Sequence, residues 1–190
     1  MRTETVRSAV GRYIDEFLTA IRQPSTSERV LLTVLFTDIV GSTSVVAELG
    51  DRRWKELLQR HDDAVRAELR RFDGVEVRTT GDGFLATFQG PTRAIQCVAA
   101  ISGRTSALGL RLRAALHTGE CERRGNDLSG IAVHLASRLL DHASSGDLVV
   151  SRTVKDLVIG SGVTFEERGE TTLRDVPGTW QLYSVRTGSV

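Results

Sequence analysis

Residues 30–43 read VLLTVLFTDIVGST and contain a change from a buried strand to a helix. The first seven residues are all β-branched or large and apolar, which is the composition of a strand inside a sheet. Asp38 ends this strand. The turn Gly41-Ser42-Thr43 then opens a helix, where free backbone N–H groups suit a phosphate. The stretch therefore predicts a sheet with a polar site at one strand end.

A second acidic turn, Gly81-Asp82-Gly83, lies within VEVRTTGDGFLATF at 75–88. Two apolar runs around a glycine-flanked turn are typical of a β-hairpin. Taken singly, Asp38 and Asp82 are more simply interpreted as a helix-cap neighbour and a turn residue. Carboxylates from adjacent strands can, however, share hard cations such as Mg²⁺ or Mn²⁺, which prefer oxygen ligands. With the phosphate-type turn between them, the two acids predict a metal site.

The remaining segments alternate between helical and strand periodicity. Helices are predicted at 4–22, 54–72, 92–107 and 131–141, and strands at 110–117, 148–151, 163–168 and 180–185, with a linker at 23–27 and a polar loop at 125–130. A hairpin mixed with helical crossovers predicts an α+β fold, a ferredoxin-like βαββαβ core with a mostly antiparallel sheet flanked by helices. We expect residues 1–28 to form an N-terminal amphipathic helix with its linker, and residues 29–190 to form one domain.

Composition restricts the classes of partner. The 190 residues are 40% hydrophobic. The chain has 25 Lys and Arg and 24 Asp and Glu, so its net charge is +1. This balance gives no reason to expect a nucleic acid or a membrane surface as a partner, and an anionic ligand must be held by local residues. An RNA-binding module of this fold would also need exposed strand aromatics, whereas aromatics are only 5% of the chain.

Cysteines, histidines and apolar runs add expectations about compartment and core. The two cysteines lack CxxC spacing, so neither a structural metal site nor a disulfide framework is expected, which fits a reducing cytosol. No run approaches the roughly 18 apolar residues of a membrane span, and no secretory signal is recognisable. A cytoplasmic protein is the expectation. His117 is interpreted as structural and His61 as a residue at the edge of the core.

Five segments, in order and spacing, resemble the class III adenylyl/guanylyl cyclase catalytic domain. They are FTDIVGST at 36–43, RTTGDGF at 78–84, LHTGE at 116–120, DLSGIAVHLASR at 127–138 and RGETTLRDVPGTWQLYSV at 168–185. The likeness covers residues 29–186 and is closest to the bacterial, actinobacterial-like branch. It implies an adenylyl cyclase that converts ATP to 3′,5′-cyclic AMP and pyrophosphate with two divalent metal ions, Mg²⁺ or Mn²⁺. It also implies a head-to-tail homodimer with two shared active sites.

The resemblance assigns the metal and phosphate residues to the two acidic turns. Asp38 and Asp82 match the metal-binding aspartates of the family, and the carbonyl of Ile39 is an additional ligand. The turn Gly41-Ser42-Thr43 is expected to contact substrate phosphates. In this family the metal aspartates come from one chain, whereas the base-reading and transition-state residues come from the other.

The resemblance places the substrate-reading residues in later segments. Arg78 stands where adenylyl cyclases have the lysine that reads the purine, and Asp127 stands where they have the acid that reads the adenine amino group. His134 replaces the asparagine that orients the ribose, and its imidazole can still donate one hydrogen bond. Arg138 matches the transition-state arginine, and Arg174 lies near the position of the lysine that contacts the terminal phosphates.

Because Arg78 stands where the family has lysine, the preference of the site for adenine over guanine is left open. Arginine is an obligate donor that serves adenine N1, and Asp127 accepts from the adenine amino group and repels the guanine carbonyl, so ATP is favoured over GTP. Arginine is longer and planar, however, and the exchange is not conservative in a tight site. The alternatives are a guanylyl or mixed-specificity cyclase and a catalytically silent, nucleotide-binding regulatory module. The presence of both metal aspartates and of Arg138 argues against a catalytically inactive module.

Overall fold

The computed structural model describes residues 27–186, so the helix expected at 4–22 lies outside the described residues. This part of the chain forms eight strands and five helices. In chain order they are β1 (Glu28–Ile39), α1 (Ser42–Leu49), α2 (Asp51–Arg71), β2 (Val75–Thr79), β3 (Phe84–Phe88), α3 (Pro91–Ala107), β4 (Leu112–Arg124), β5 (Asp127–Ser129), α4 (Ile131–Leu140), β6 (Leu148–Ser151), α5 (Arg152–Leu157), β7 (Phe165–Leu173) and β8 (Val176–Val185). No helix within 27–186 is long and apolar enough to cross a bilayer.

The strands form one sheet in the order β2-β3-β1-β4-β6-β8-β7, with β5 paired to β4. Only the β4–β6 pair is parallel among these pairings, and the others are antiparallel. The first four strands, with the helices between them, make the βαββαβ core. The prediction of an α+β fold with a mostly antiparallel sheet flanked by helices is confirmed.

Strand β1 lies inside the sheet and is covered on both faces, which explains its continuous apolar run. Leu35 packs on one face with residues of α2 and α3. Val34 and Phe36 face the other way and pack with residues of α4. Because β1 is enclosed on both sides, its carboxyl end is a fixed platform for the residues that follow it.

The structure differs from the predicted elements at three places. The expected polar loop at 125–130 contains strand β5, which pairs with the end of β4 to form a hairpin. The helix predicted at 54–72 begins at Asp51, and the separate helix α1 precedes it. The short helix α5 was not predicted, because six residues are too few to show helical periodicity. In the β4–β5 hairpin, strand pairing stabilises polar residues that have no strand propensity of their own.

Two histidines are buried more deeply than their sequence context indicates. His61, on α2, is fully buried, so its interpretation as a residue at the core edge is wrong. His117, on β4, is also buried, with Nδ1 2.8 Å from Ser151 Oγ. Its ring meets Trp180 edge-on with 6.0 Å between the ring centroids. Burial lowers the pKa of His117 to about 4 from its ordinary value of 6.5.

This low pKa predicts a pH-dependent stability. The unfolded chain takes up the His117 proton near pH 6.5, whereas the folded chain keeps the ring neutral until about pH 4. Above pH 6.5 the His117 ring is neutral in both states, so it costs the folded chain no stability. As the pH falls towards 4, only the unfolded chain gains this proton, and the free energy of unfolding decreases by up to about 3 kcal/mol. In urea titrations at several pH values, His117→Gln should lose stability less steeply over this range than wild type. If the unfolding free energies of both proteins fell equally steeply with pH, a low pKa of His117 would be contradicted.

Candidate active site

The first group of assigned residues lies at the carboxyl end of β1. Asp38 stands opposite Arg113 of β4 in the antiparallel register. Arg113 donates from Nε and Nη2 to Asp38 Oδ2 at 2.9 and 2.6 Å. Both side chains are partly exposed. The sequence analysis did not single out Arg113, because only the register of β1 against β4 reveals that it faces Asp38.

A pocket of about 370 Å³ opens beside this pair. Its lining residues are Asp38, Ile39, Val40, Gly41, Ser42, Thr43, Arg113, Ala143, Ser144 and Ser145. Gly41 has a φ of 70°, a left-handed conformation that glycine adopts without strain. It precedes α1, so the amides of the first helical turn are at this end of the helix. Five of the residues assigned to metal or phosphate binding thus line one pocket.

Asp82 lies in the turn between β2 and β3, which is held tightly against the end of β1. The amide of Phe84 donates to Thr37 Oγ1 at 3.1 Å, and the amide of Thr80 donates to the Gly83 carbonyl at 2.9 Å. A Cβ atom on Gly83 would collide with the carbonyl oxygen of Thr37, so only glycine fits. The Asp82 turn is therefore fixed next to the residue that precedes Asp38.

The donor set at this end of the sheet fits a hard cation. Asp82 Oδ2 is buried and has no hydrogen-bond partner in the described chain. A buried carboxylate oxygen without a partner is costly and calls for an explanation such as a bound ion. No group of three or more His, Cys, Asp or Glu side chains with metal-site geometry occurs between residues 27 and 186. Two carboxylates and a carbonyl suit Mg²⁺, which keeps several waters and binds substrate phosphates.

A second group unites the two residues assigned to base recognition. Arg78 of β2 donates from Nη1 to Asp127 Oδ1 of β5 at 3.2 Å. The same carboxylate oxygen accepts from the Leu128 amide at 2.9 Å. The side chains of Arg78 and Asp127 are 53% and 69% exposed, so both remain accessible to a ligand. The structure therefore brings an exposed donor and an exposed acceptor to one place, as base reading requires.

A third group involves helix α4 and the turn between β7 and β8. His134 and Arg138 are four residues apart, on the same face of α4. Arg138 donates from Nε to the Arg174 carbonyl at 3.1 Å and from Nη2 to Asp175 Oδ2 at 3.3 Å. The Arg174 guanidinium lies 3.6 Å from the same Asp175 oxygen. The two arginines assigned to phosphate and transition-state contacts therefore share one carboxylate.

Comparisons with known proteins give the family of this fold. The family model for the adenylate and guanylate cyclase catalytic domain matches residues 25–187. An uncharacterized protein of Mycobacterium tuberculosis (strain H37Rv) is 31% identical over 131 residues, which are 68% of this chain and 45% of the relative. The chain thus spans about half the length of the curated relatives that it matches first.

Solved structures share the fold at lower identity. The adenylyl cyclase CyaB from P. aeruginosa superimposes with a TM-score of 0.79 at 22% identity, covering 86% of this chain and 98% of that one. The guanylate cyclase domain of RhGC from Catenaria anguillulae superimposes with a TM-score of 0.75 at 18% identity, covering 84% and 98%. The fold is therefore common to adenylyl and guanylyl cyclases and does not distinguish their substrates. The family model matches residues 25–187, which include every described residue, and this places the protein in the family of adenylate and guanylate cyclase catalytic domains.

Proposed function

We propose that the protein is an adenylyl cyclase that converts ATP to 3′,5′-cyclic AMP and pyrophosphate at a site shared between two copies of the chain. The observation that carries this proposal is the Asp82 turn, which packs against Thr37, next to Asp38 and its pocket, and so brings a second carboxylate to this end of β1. Family membership supplies the reaction class.

Asp38, Asp82 and the Ile39 carbonyl would hold two divalent ions, Mg²⁺ or Mn²⁺. Such ions, when bound, lower the pKa of the attacking ribose 3′-hydroxyl and neutralise the triphosphate. The amides at Gly41-Ser42-Thr43 would receive phosphate oxygens at the start of α1. Arg113, which lines the same pocket, offers a further cationic contact to the triphosphate.

Arg138 is the group that we assign to the transition state. Negative charge grows on the phosphoryl oxygens as the ribose oxygen attacks and pyrophosphate leaves. Arg138 is oriented by the Arg174 carbonyl and the Asp175 carboxylate. Its Nη1 lies 4.0 Å from Asp141 Oδ2, beyond hydrogen-bond distance, so Nη1 and one N–H of Nη2 would donate to the phosphate. Preorganised donors of this kind contribute about 3 kcal/mol or more to a barrier. Arg174 would contact the terminal phosphates, and His134 would donate a hydrogen bond to the ribose.

Base preference follows from the Arg78–Asp127 pair. The two side chains present a donor and an acceptor side by side, which complements N1 and the amino group of adenine. Guanine presents an N–H and a carbonyl at these places, so both contacts become repulsive. A site built on such matched polar groups can reject the wrong base by several orders of magnitude.

Product analysis with ATP and GTP side by side tests this assignment. With Mn²⁺, we expect cyclic AMP and pyrophosphate from ATP, with kcat/KM at least about 100-fold higher than for GTP. Asp127→Asn should reduce that ratio at least about tenfold, because an amide can rotate to offer guanine a donor. Asp156→Asn, an exposed acid on α5, is the matched control and should keep the ratio. Equal use of both nucleotides by wild type would instead support a mixed-specificity cyclase.

A further inference from the structure

Two of the three buried side-chain atoms without a hydrogen-bond partner in residues 27–186 belong to His61 and Asp82. They are His61 Nε2 and Asp82 Oδ2. The third, Ser184 Oγ, lies on β8. Buried polar atoms without partners are rare in folded proteins, so two on interacting side chains have one common explanation more readily than two separate ones.

The surroundings of His61 orient its ring towards the Asp82 turn. His61 is fully buried on α2, and its Nδ1 lies 3.4 Å from Thr105 Oγ1 of α3. Its ring packs edge-on against Phe84, two residues beyond Asp82, with 6.2 Å between the centroids. Burial lowers the pKa of His61, and the negative charge of Asp82 opposes part of this lowering. With Nδ1 beside the threonine hydroxyl, Nε2 is the ring nitrogen left for Asp82.

We propose that His61 is a positioning residue for the cyclase reaction, whose Nε2–H donates to a water enclosed between it and Asp82 Oδ2. This inference rests on the proposed role of Asp82 as a metal ligand. Asp82 Oδ2 would accept from that water inside the core, so the carboxylate would be fixed with Oδ1 as the oxygen that contacts the cation. Groups that orient a metal-binding carboxylate in this way typically change metal affinity by 10-fold to 100-fold. His61 would thus act on the reaction without touching the nucleotide.

The pair His61→Met and His61→Gln isolates this hydrogen bond. The two side chains have nearly the same size and flexibility, but only glutamine has an N–H to donate. Titration with Mn²⁺ alone, followed by the electron paramagnetic resonance signal of the free ion, should give an affinity about tenfold weaker in His61→Met. His61→Gln should bind within about twofold of wild type. His117→Gln, at the other buried histidine, is the matched control and should bind Mn²⁺ as wild type does.

The outcomes separate this inference from the proposed function. If His61→Met binds Mn²⁺ as tightly as His61→Gln, the positioning role is wrong, while weaker binding by Asp82→Asn would leave the metal site intact as a proposal. If Asp82→Asn binds Mn²⁺ like wild type, the metal role of Asp82 fails and the inference fails with it. If His61→Met does not fold, the test is made on wild-type protein by proton nuclear magnetic resonance. The imidazole N–H resonance of His61 should shift on addition of Mg²⁺, and an unchanged resonance overturns the proposal.

Discussion

Asp38→Asn and Asp82→Asn are each expected to lower kcat at least about a thousandfold while the chain stays folded. Each exchange keeps the size of the side chain and removes its negative charge. The cation would then lose one of the two carboxylates that the described chain provides at this end of the sheet. With the cation weakly bound, the ribose hydroxyl would keep its high pKa, and the charge that develops on pyrophosphate would not be neutralised.

The two variants should differ in stability, which makes the test more specific. Asp82→Asn replaces a partly buried carboxylate, whose Oδ2 is enclosed and has no partner in the described chain, by a neutral amide. The unfolding free energy should therefore stay level or rise, because a neutral amide avoids the cost of holding a charge partly out of water. Asp38→Asn removes the partner of Arg113 at the pocket. Because that pair is partly exposed, we expect a loss of at most about 1 kcal/mol.

Cyclic AMP formation with Mn²⁺ and thermal unfolding provide the two measurements. Asp73→Asn is the matched control, since Asp73 also lies in a turn, at a φ of 56°, and asparagine tolerates that conformation. It pairs with Arg93 on the surface and should leave kcat unchanged. Substantial activity in Asp82→Asn would remove the basis for a cation at this turn.

The sequence was sufficient for the parts of the fold and site that depend on local pattern. The apolar run of β1, the hairpin around Gly81-Asp82-Gly83 and the amphipathic helices each follow from periodicity and turn residues within a short window. The α+β class follows from their order. Family resemblance then supplied the roles of residues that no local pattern distinguishes, such as Asp127 and Arg138.

Features that depend on pairing between distant segments could not be predicted. Arg113 faces Asp38 because β4 pairs with β1 in one particular register, and the spacing of 75 residues between them carries no such information. Strand β5 exists only because β4 extends to meet it. The depth of His61 is set by how α3 packs against α2. In each case tertiary contacts, which have no local sequence signal, decide the environment.

Mixing two inactive variants should restore activity if the active site is shared between chains. Asp38→Ala removes a metal residue, and Arg138→Ala removes the transition-state residue that the family resemblance assigns to the opposite chain. In a mixed dimer, one site carries both defects and the other carries neither. With equal amounts and random exchange, half of the dimers are mixed, so about a quarter of wild-type activity should return.

The decisive control for this mixing experiment is a pair of variants with defects in the same half of the site. Asp38→Ala and Asp82→Ala both damage the metal half, so each site of their mixed dimer carries one defect and activity should stay at the level of the single variants. The restored activity of the first mixture should also rise with protein concentration, because dimers form by mass action. If both mixtures remain inactive where wild type is dimeric, each chain must build its own site. Arg138 would then have to approach Asp38 within one chain, although in the described chain it is held by the turn at Arg174 and Asp175 instead.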